Sequence, residues 1–283
     1  MIAGARLTPE RTALVIGGLG AAAVAAAILA LVFGESSVDL ASAWSQASSR
    51  ERLVLVDLRL PRILLAAVVG AALAVSGCAL QALLRNPLAD PFVLGVSGGA
   101  ALGGTLSLAL GGAALASGLS ASVQGLPPPF GALAAGLLAR SPTTIAALAG
   151  ALLATLVVYA AGRFGDRLST YGALLAGVVF NALASAAITF LKALSPPELL
   201  GDLLYWLAGA LDYPEWSTVA GVTLFEAVGV GLVLFFARDL NLLSLGDEGA
   251  ASLGVEVDKV RRMLFLATSL CVAAAVAVTG LIG

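Results

Sequence analysis

The chain has 283 residues, of which 60% are hydrophobic and 11% charged, and its formal net charge is −2. Soluble domains carry roughly 25% charged residues, so most of this chain has no water to face, and the near-neutral balance offers no basic surface to nucleic acid. It contains no histidine, which excludes metal binding on imidazole, His-based acid–base catalysis and His proton relays.

Uncharged runs of about 20 residues, the length that crosses a bilayer, occur at Ala13–Phe33, Ile63–Leu84, Phe92–Ser117, Thr143–Gly162, Tyr171–Leu191, Ser217–Ala237 and Met263–Gly283. They predict an all-α, polytopic transmembrane helical bundle of about seven spans, a single membrane domain over residues 1–283 in contact with lipid. A β-barrel would need short alternating strands instead. Arg6 and Arg11 precede the first run as they would in a signal peptide, but the run is longer than a typical h-region and more spans follow, so it reads as a membrane helix. Cys78 and Cys271 fall in separate apolar runs, where a small buried hydrophobe is expected.

With the N-terminus in the cytoplasm and sides alternating at each span, nine of the Lys and Arg residues fall inside and six outside. This positive-inside bias is modest. It makes "RNPLADP" (85–91), "GRFGDRLSTYG" (162–172) and residues 238–262 cytoplasmic, and residues 34–62, the "PPP"-bearing 118–142 and residues 192–216 external.

The second span opens with "DLRLPRILL" (57–65). Pro61 suits the first turn of a helix, which would leave Arg59 and Arg62 at a helix N-terminus on the outer side. The helix dipole prefers anions there, so both arginines want an acidic counterpart, either lipid phosphate or a carboxylate-bearing partner. Farther along, Gly70, Ala74, Gly77 and Gln81 share one helix face. That face is either a close-packing stripe or a smooth pathway wall with Gln81 near its mouth. The third span begins "GVSGGAALGG" (95–104), and so much glycine demands close neighbours. Glu226 is the one acid in the middle of a span. A charge there costs about 2.5–3.5 kcal/mol on insertion scales, so it should face the bundle interior, as a hydrogen-bonding group or as a solute or proton site.

In "LNLLSLGDEGAASLGVEVDKVRR" (240–262), Asp247 and Glu248 suit a helix N-terminus and Gly254 a C-cap. The stub between them is too short to be stable alone in water. It must lie on its own protein or in another protein's groove. Energy for pumping would have to come from elsewhere, because neither Lys192 nor Lys259 follows a glycine and no phosphate-binding loop exists. An ion-coupled secondary transporter built around Glu226 is the alternative to an ATP-driven importer. Without His, with lone cysteines and a single mid-span acid, no intramembrane catalytic set assembles.

The stretches "RLPRILLAAVVGAALAVSGCALQALLRNPLADPFVLGVSGGAALG", "LSTYGALLAGVVFNAL", "LLYWLAGAL" and "LNLLSLGDEGAASLGVEVDKVR" together resemble the FecCD-type permeases. These are the membrane subunits of bacterial ABC importers for iron–siderophores, haem and vitamin B12. The resemblance implies a homodimer in the bacterial cytoplasmic (inner) membrane, working with an ATP-binding cassette subunit and an extracytoplasmic substrate-binding protein, with no cofactor and no ATPase site of its own. It implies that Arg59 and Arg62 receive acidic residues of the binding protein. Asn86, Leu88, Ser169 and Thr170 would lie in the cytoplasmic gate, and Gln81 and Glu226 remain pathway candidates. Gly246, Asp247, Glu248, Ala250, Ala251, Leu253 and Gly254, within the segment 240–262, would form the element that couples to the ATPase. In that element Gly249 weakens the helix slightly. The family typically has ten spans, so the resemblance also implies a C-terminally truncated representative.

Overall fold

In the computed structural model, the described residues are 8–33, 50–111, 142–164, 167–168 and 170–282. The triple proline at 127–129, the end of the predicted third span at 112–117 and Ser169, expected in the gate, lie outside them. Among the described residues the regular structure is helical but for a short antiparallel ribbon, β1 (Arg163–Phe164) and β2 (Arg167–Leu168), with Arg163 opposite Leu168. The helices are α1 (Pro9–Val32), α2 (Arg50–Leu84), α3 (Val96–Ala109), α4 (Pro142–Ala161), α5 (Thr170–Leu194), α6 (Pro197–Ala208), α7 (Trp216–Phe235), α8 (Ala237–Leu243), α9 (Asp247–Ser252) and α10 (Val257–Thr279). Six of them, α1, α2, α4, α5, α7 and α10, are long and apolar enough to cross a membrane. The third expected span is shorter than its uncharged run. Asp90 caps a 3-10 turn at Pro91–Leu94, Gly95 breaks the path in a left-handed conformation, and α3 then runs for 14 residues.

Contacts divide the chain into two units, Met1–Ala66 with Tyr213–Val219, and Ala67–Asp212 with Ala220–Gly283. In the first, α1 ends at Val32 and the first part of α2 follows at Arg50. The structure corrects the expected start of the second span. Pro61 is not in a first turn, because α2 begins eleven residues earlier, at Arg50. An interior proline lacks the N–H that bonds to i−4 and its ring presses on that carbonyl. Here Val54–Arg59 winds as a π-helix, with the Leu60 N–H bonding to the Leu55 carbonyl. The wider winding just ahead of Pro61 absorbs the misfit, as π segments and local adjustments do elsewhere. The helix therefore continues, and Arg59 and Arg62 sit within it rather than at its N-terminus.

In the second unit, α3 and α10 form the interior. Helix α3 packs chiefly on α4, then on α5, and α10 packs on α4 and α3. Fifteen residues of α10 are buried, and in α3 the buried set includes Val96, Gly99, Ala100, Ala101 and Gly104. The glycine-rich face does what its composition demanded. A Cβ on Gly150 would lie 3.1 Å from the Gly103 Cα, and one on Gly103 would strike the Ala146 carbonyl and sit 3.3 Å from the Gly150 Cα. The two backbones thus touch directly, the close approach by which membrane helices associate when lipid supplies no hydrophobic drive. Gly104 makes room in the same way for the Trp206 indole of α6. The hydroxyls of Thr155, Thr268 and Thr279 bond back to carbonyls four residues earlier, which satisfies them where water is absent.

Two packing expectations are revised. Gly70, Ala74 and Gln81 are exposed and Gly77 is only partly covered, so the small-residue stripe does not pack against this chain; the buried face of α2 is Val69, Ala72, Ser76, Ala79, Leu80 and Leu83. Cys78 shares the open side of the helix, while Cys271 is buried as expected.

Candidate functional site

At the end of α2 the chain must stop a 35-residue helix and turn. It does so with the Asn86 N–H on the Gln81 carbonyl (3.1 Å) and the Arg85 N–H on the Ala82 carbonyl (3.3 Å). This double bond pattern is the Schellman ending, whose pivotal residue is left-handed and usually glycine. Here that residue is Arg85, at φ +49°, the one non-glycine residue with positive φ among those described. The turn that follows is fixed by its own polar side chains. The Leu88 N–H donates to Asn86 Oδ1 (3.0 Å), the Ala89 N–H to the Asn86 carbonyl (3.0 Å), and the Phe92 N–H to Asp90 Oδ1 (2.7 Å). Asn86 and Asp90 each precede a proline, which disfavours the helical region for them, and Asp90 is extended at φ −122° and ψ 136°. Asn181 of α5 donates to the Phe92 carbonyl at 3.0 Å and pins the far end of the turn. Leu88 is left projecting, 86% exposed.

The stub α9 ends by the same device. The Val255 N–H bonds to the Ala250 carbonyl (3.1 Å) and the Gly254 N–H to the Ala251 carbonyl (3.0 Å), with Gly254 at φ +87°. Gly246 precedes the stub at φ +113°. Ala250 and Val255 are buried with Leu240, Leu243 and Val260, so one face of the stub rests on its own protein. Glu248, Ala251, Ser252 and Leu253 are exposed on the other. Of the two alternatives for the stub, its own chain supplies the first on one face, and the other face is left exposed.

Loop and stub meet through Asp247. Its carboxylate accepts from Arg85 Nη2 on one oxygen and from Arg261 Nη2, at 2.8 Å, on the other. Arg85 Nε also donates to the Leu243 carbonyl at 3.1 Å, at the C-terminal end of α8, where the same oxygen accepts from the Gly246 N–H at 3.1 Å. Burial on its own would raise the Asp247 pKa, but the hydrogen bond and charge of Arg261, then the charge and hydrogen bond of Arg85, outweigh it and hold the carboxyl below its ordinary value. The Asp247 and Arg85 side chains are 50% and 44% exposed, and exposed ion pairs contribute only about 0–1 kcal/mol. The arrangement matters for geometry more than for stability. Asp247 was legible as an acid at a helix start; its two arginine partners, one of them far away in sequence, were not.

The other expected residues are dispersed. In the first unit Arg59 Nη1 donates to the Leu31 and Val32 carbonyls at 2.5 and 3.2 Å, so its counterpart is the negative end of α1, a partner the sequence reading missed. Arg62 lies 5.4 Å from the centre of the Tyr213 ring, a cation–π contact. Thr170 is the first residue of α5. Gln81 is exposed on α2. Glu226 is 2% exposed on α7 and faces inward as expected, with the Cys271 thiol beside it and Ser76 beside that thiol. Neither of its oxygens meets a donor at full hydrogen-bonding geometry. Gly229, one turn on, leaves the room that the Cys271 sulfur fills. Among the described residues no group of His, Cys, Asp and Glu is arranged to hold a metal.

The family model described as the FecCD transport family matches residues 22–283. This chain belongs to the FecCD transport family. It is 38% identical over 232 residues to the cobalamin import system permease protein of Halobacterium salinarum, covering 82% of this chain and 56% of that one. It is 40% identical to the hemin transport system permease protein of Yersinia pestis, covering 81% and 62%. The vitamin B12 import system permease protein of Vibrio vulnificus is 40% identical, covering 85% and 65%. The chain thus spans 56–65% of the length of these curated relatives. A solved inward-facing structure of a metal-chelate type ABC transporter superposes with a TM-score of 0.76 at 28% identity, covering 95% of this chain and 77% of that one. The FecCD membership and this superposition agree with the all-α membrane bundle read from the sequence.

Proposed function

We propose that this FecCD chain acts in the membrane-spanning subunit of an ABC importer for a cobalamin, haem or iron-chelate cargo. ATP is hydrolysed on a separate ATP-binding subunit, and the chain itself is not an enzyme. The observation that carries this reading is the stub α9, capped at its C-terminal end, seated on one face and open on the other at Glu248, Ala251, Ser252 and Leu253. On that outward face of a six-residue helix, Ala251 and Leu253 give a short apolar strip of the kind a partner's groove receives, with Glu248 and Ser252 at its margin. In this reading the N-terminus and both loop and stub are cytoplasmic, the protein sits in the bacterial inner membrane, and a second copy completes the pathway. Asn86, Leu88, Ser169 and Thr170 then narrow its inner mouth. The region of Arg59 and Arg62 receives acidic residues of an extracytoplasmic binding protein; Arg62 is the better socket, because Arg59 is committed to α1.

The test is co-purification with the ATP-binding cassette protein expressed beside it. Ala251→Arg and Leu253→Asp, both on the exposed face, should abolish association without disturbing the fold; retained association would sink the coupling role. Uptake of cobalamin, hemin and ferric citrate compared side by side names the cargo class. The buried Glu226 supports the competing ion-coupled carrier. Uptake that survives uncouplers and Glu226→Gln but stops on ATP depletion decides against that carrier.

A further inference from the structure

We propose that Asp247 is a positioning residue that clamps the stub α9 to the loop after α2, so that Asn86–Leu88 and the stub move as one body. Three observations carry this. First, one carboxylate joins three segments, the helix end at Arg85, the stub that it begins, and the first turns of α10 at Arg261. Arg261 is 8% exposed, so the end anchored in α10 is fixed by packing. Second, Arg85 reaches both sides of the short link between α8 and α9, the Leu243 carbonyl before it and Asp247 after it. That double grip sets the angle between the two helices. A cation is also favoured at the C-terminal end of α8 by the helix dipole. Third, Arg85 occupies a left-handed position, φ +49°, where glycine would fit without strain. A side chain kept at a backbone position that disfavours it is kept for what the side chain does.

The consequence rests on the importer reading. A displacement of the stub by the ATP-binding subunit reaches the loop at Asn86–Leu88 through two arginines instead of dissipating in a flexible link. The clamp itself needs no partner and is tested on this chain alone in lipid nanodiscs. Spin labels go on Leu88→Cys and Leu253→Cys, both exposed, in a Cys78→Ser background with the buried Cys271 left in place. Mixed with an excess of unlabelled chain, so that no assembly carries two labelled copies, the parent should give a single narrow inter-label distance. Asp247→Asn, which keeps the shape and removes the charge, and Arg85→Gly, which relieves the backbone while removing the guanidinium, should each lose it to a broad or split distribution at unchanged near-UV circular dichroism. A narrow distance retained in both variants overturns the clamp and leaves the importer reading intact. Failure to bind any ATP-binding subunit overturns the importer reading and leaves the clamp standing.

Discussion

The C-terminal ends of α2 and of the stub α9 are built on the same hydrogen-bond pattern, yet one turns on Arg85 and the other on Gly254. In both, the pivotal residue is left-handed, at φ +49° and φ +87°. At Gly254 nothing lies within 4 Å of where a Cβ would stand, so glycine is there for conformation alone. At Arg85 the chain accepts a conformation that L-residues adopt at a cost of about 1–2 kcal/mol, and the guanidinium reaches Leu243 and Asp247. Where a local rule is obeyed the residue serves the fold, and where it is broken at a site of converging charge the residue serves something further.

The comparison breaks most visibly at Gly254. Gly254→Val forces a β-branched residue into the left-handed region. With open space around the site, the expected loss of about 1–2 kcal/mol is conformational. The stub should fray, which hydrogen exchange would register as lost protection at the Gly254 and Val255 amides; retained protection would mean the ending does not depend on its glycine. Arg85→Gly should behave in the opposite sense. Relief of the backbone offsets the loss of an exposed ion pair worth about 0–1 kcal/mol, so the thermal midpoint in detergent should barely move. A drop of many degrees would instead make Arg85 an ordinary stabilising cap.

The clamp also has a pH signature. Asp247 has its pKa lowered in the folded chain, chiefly by Arg261 and then Arg85 acting against the effect of burial. A carboxyl with a depressed folded pKa contributes stability that is fully present above its unfolded value of about 3.9 and is lost only as pH falls through the lower folded value. The inter-label distance should therefore stay narrow across the neutral range and loosen only in acid below the usual carboxylate range. Loosening between pH 6 and 8 would point to a different group.

How much of this was legible beforehand follows from which forces are local. Hydropathy runs located the six long helices because bilayer length is written directly in sequence, and the glycines of 95–104 announced a close-packed helix. Gly254 and the acids Asp247 and Glu248 marked both ends of the stub because caps act within a few residues. The start of α2 was misread because Pro61 is a local signal for a first turn, and only the π winding of Val54–Arg59 lets the helix run through it. Arg59 on the carbonyls of α1, and Arg85 on Asp247, 162 positions away, are contacts across the fold. No periodicity encodes those.

The finest test of the comparison is a third glycine, Gly249, inside the stub. Unlike Gly254 it does not appear among the positive-φ residues, and a Cβ there would meet only the Leu245 Cβ at 3.7 Å, an ordinary contact. Neither conformation nor close approach calls for glycine here, so Gly249→Ala should stabilise the stub by up to about 1 kcal/mol through helix propensity. Hydrogen exchange at the Val255 amide should slow accordingly. If exchange quickens instead, the stub needs a pliable centre, and the rigid-body motion assigned to the clamp would have to be confined to its first turn, where Asp247 is held.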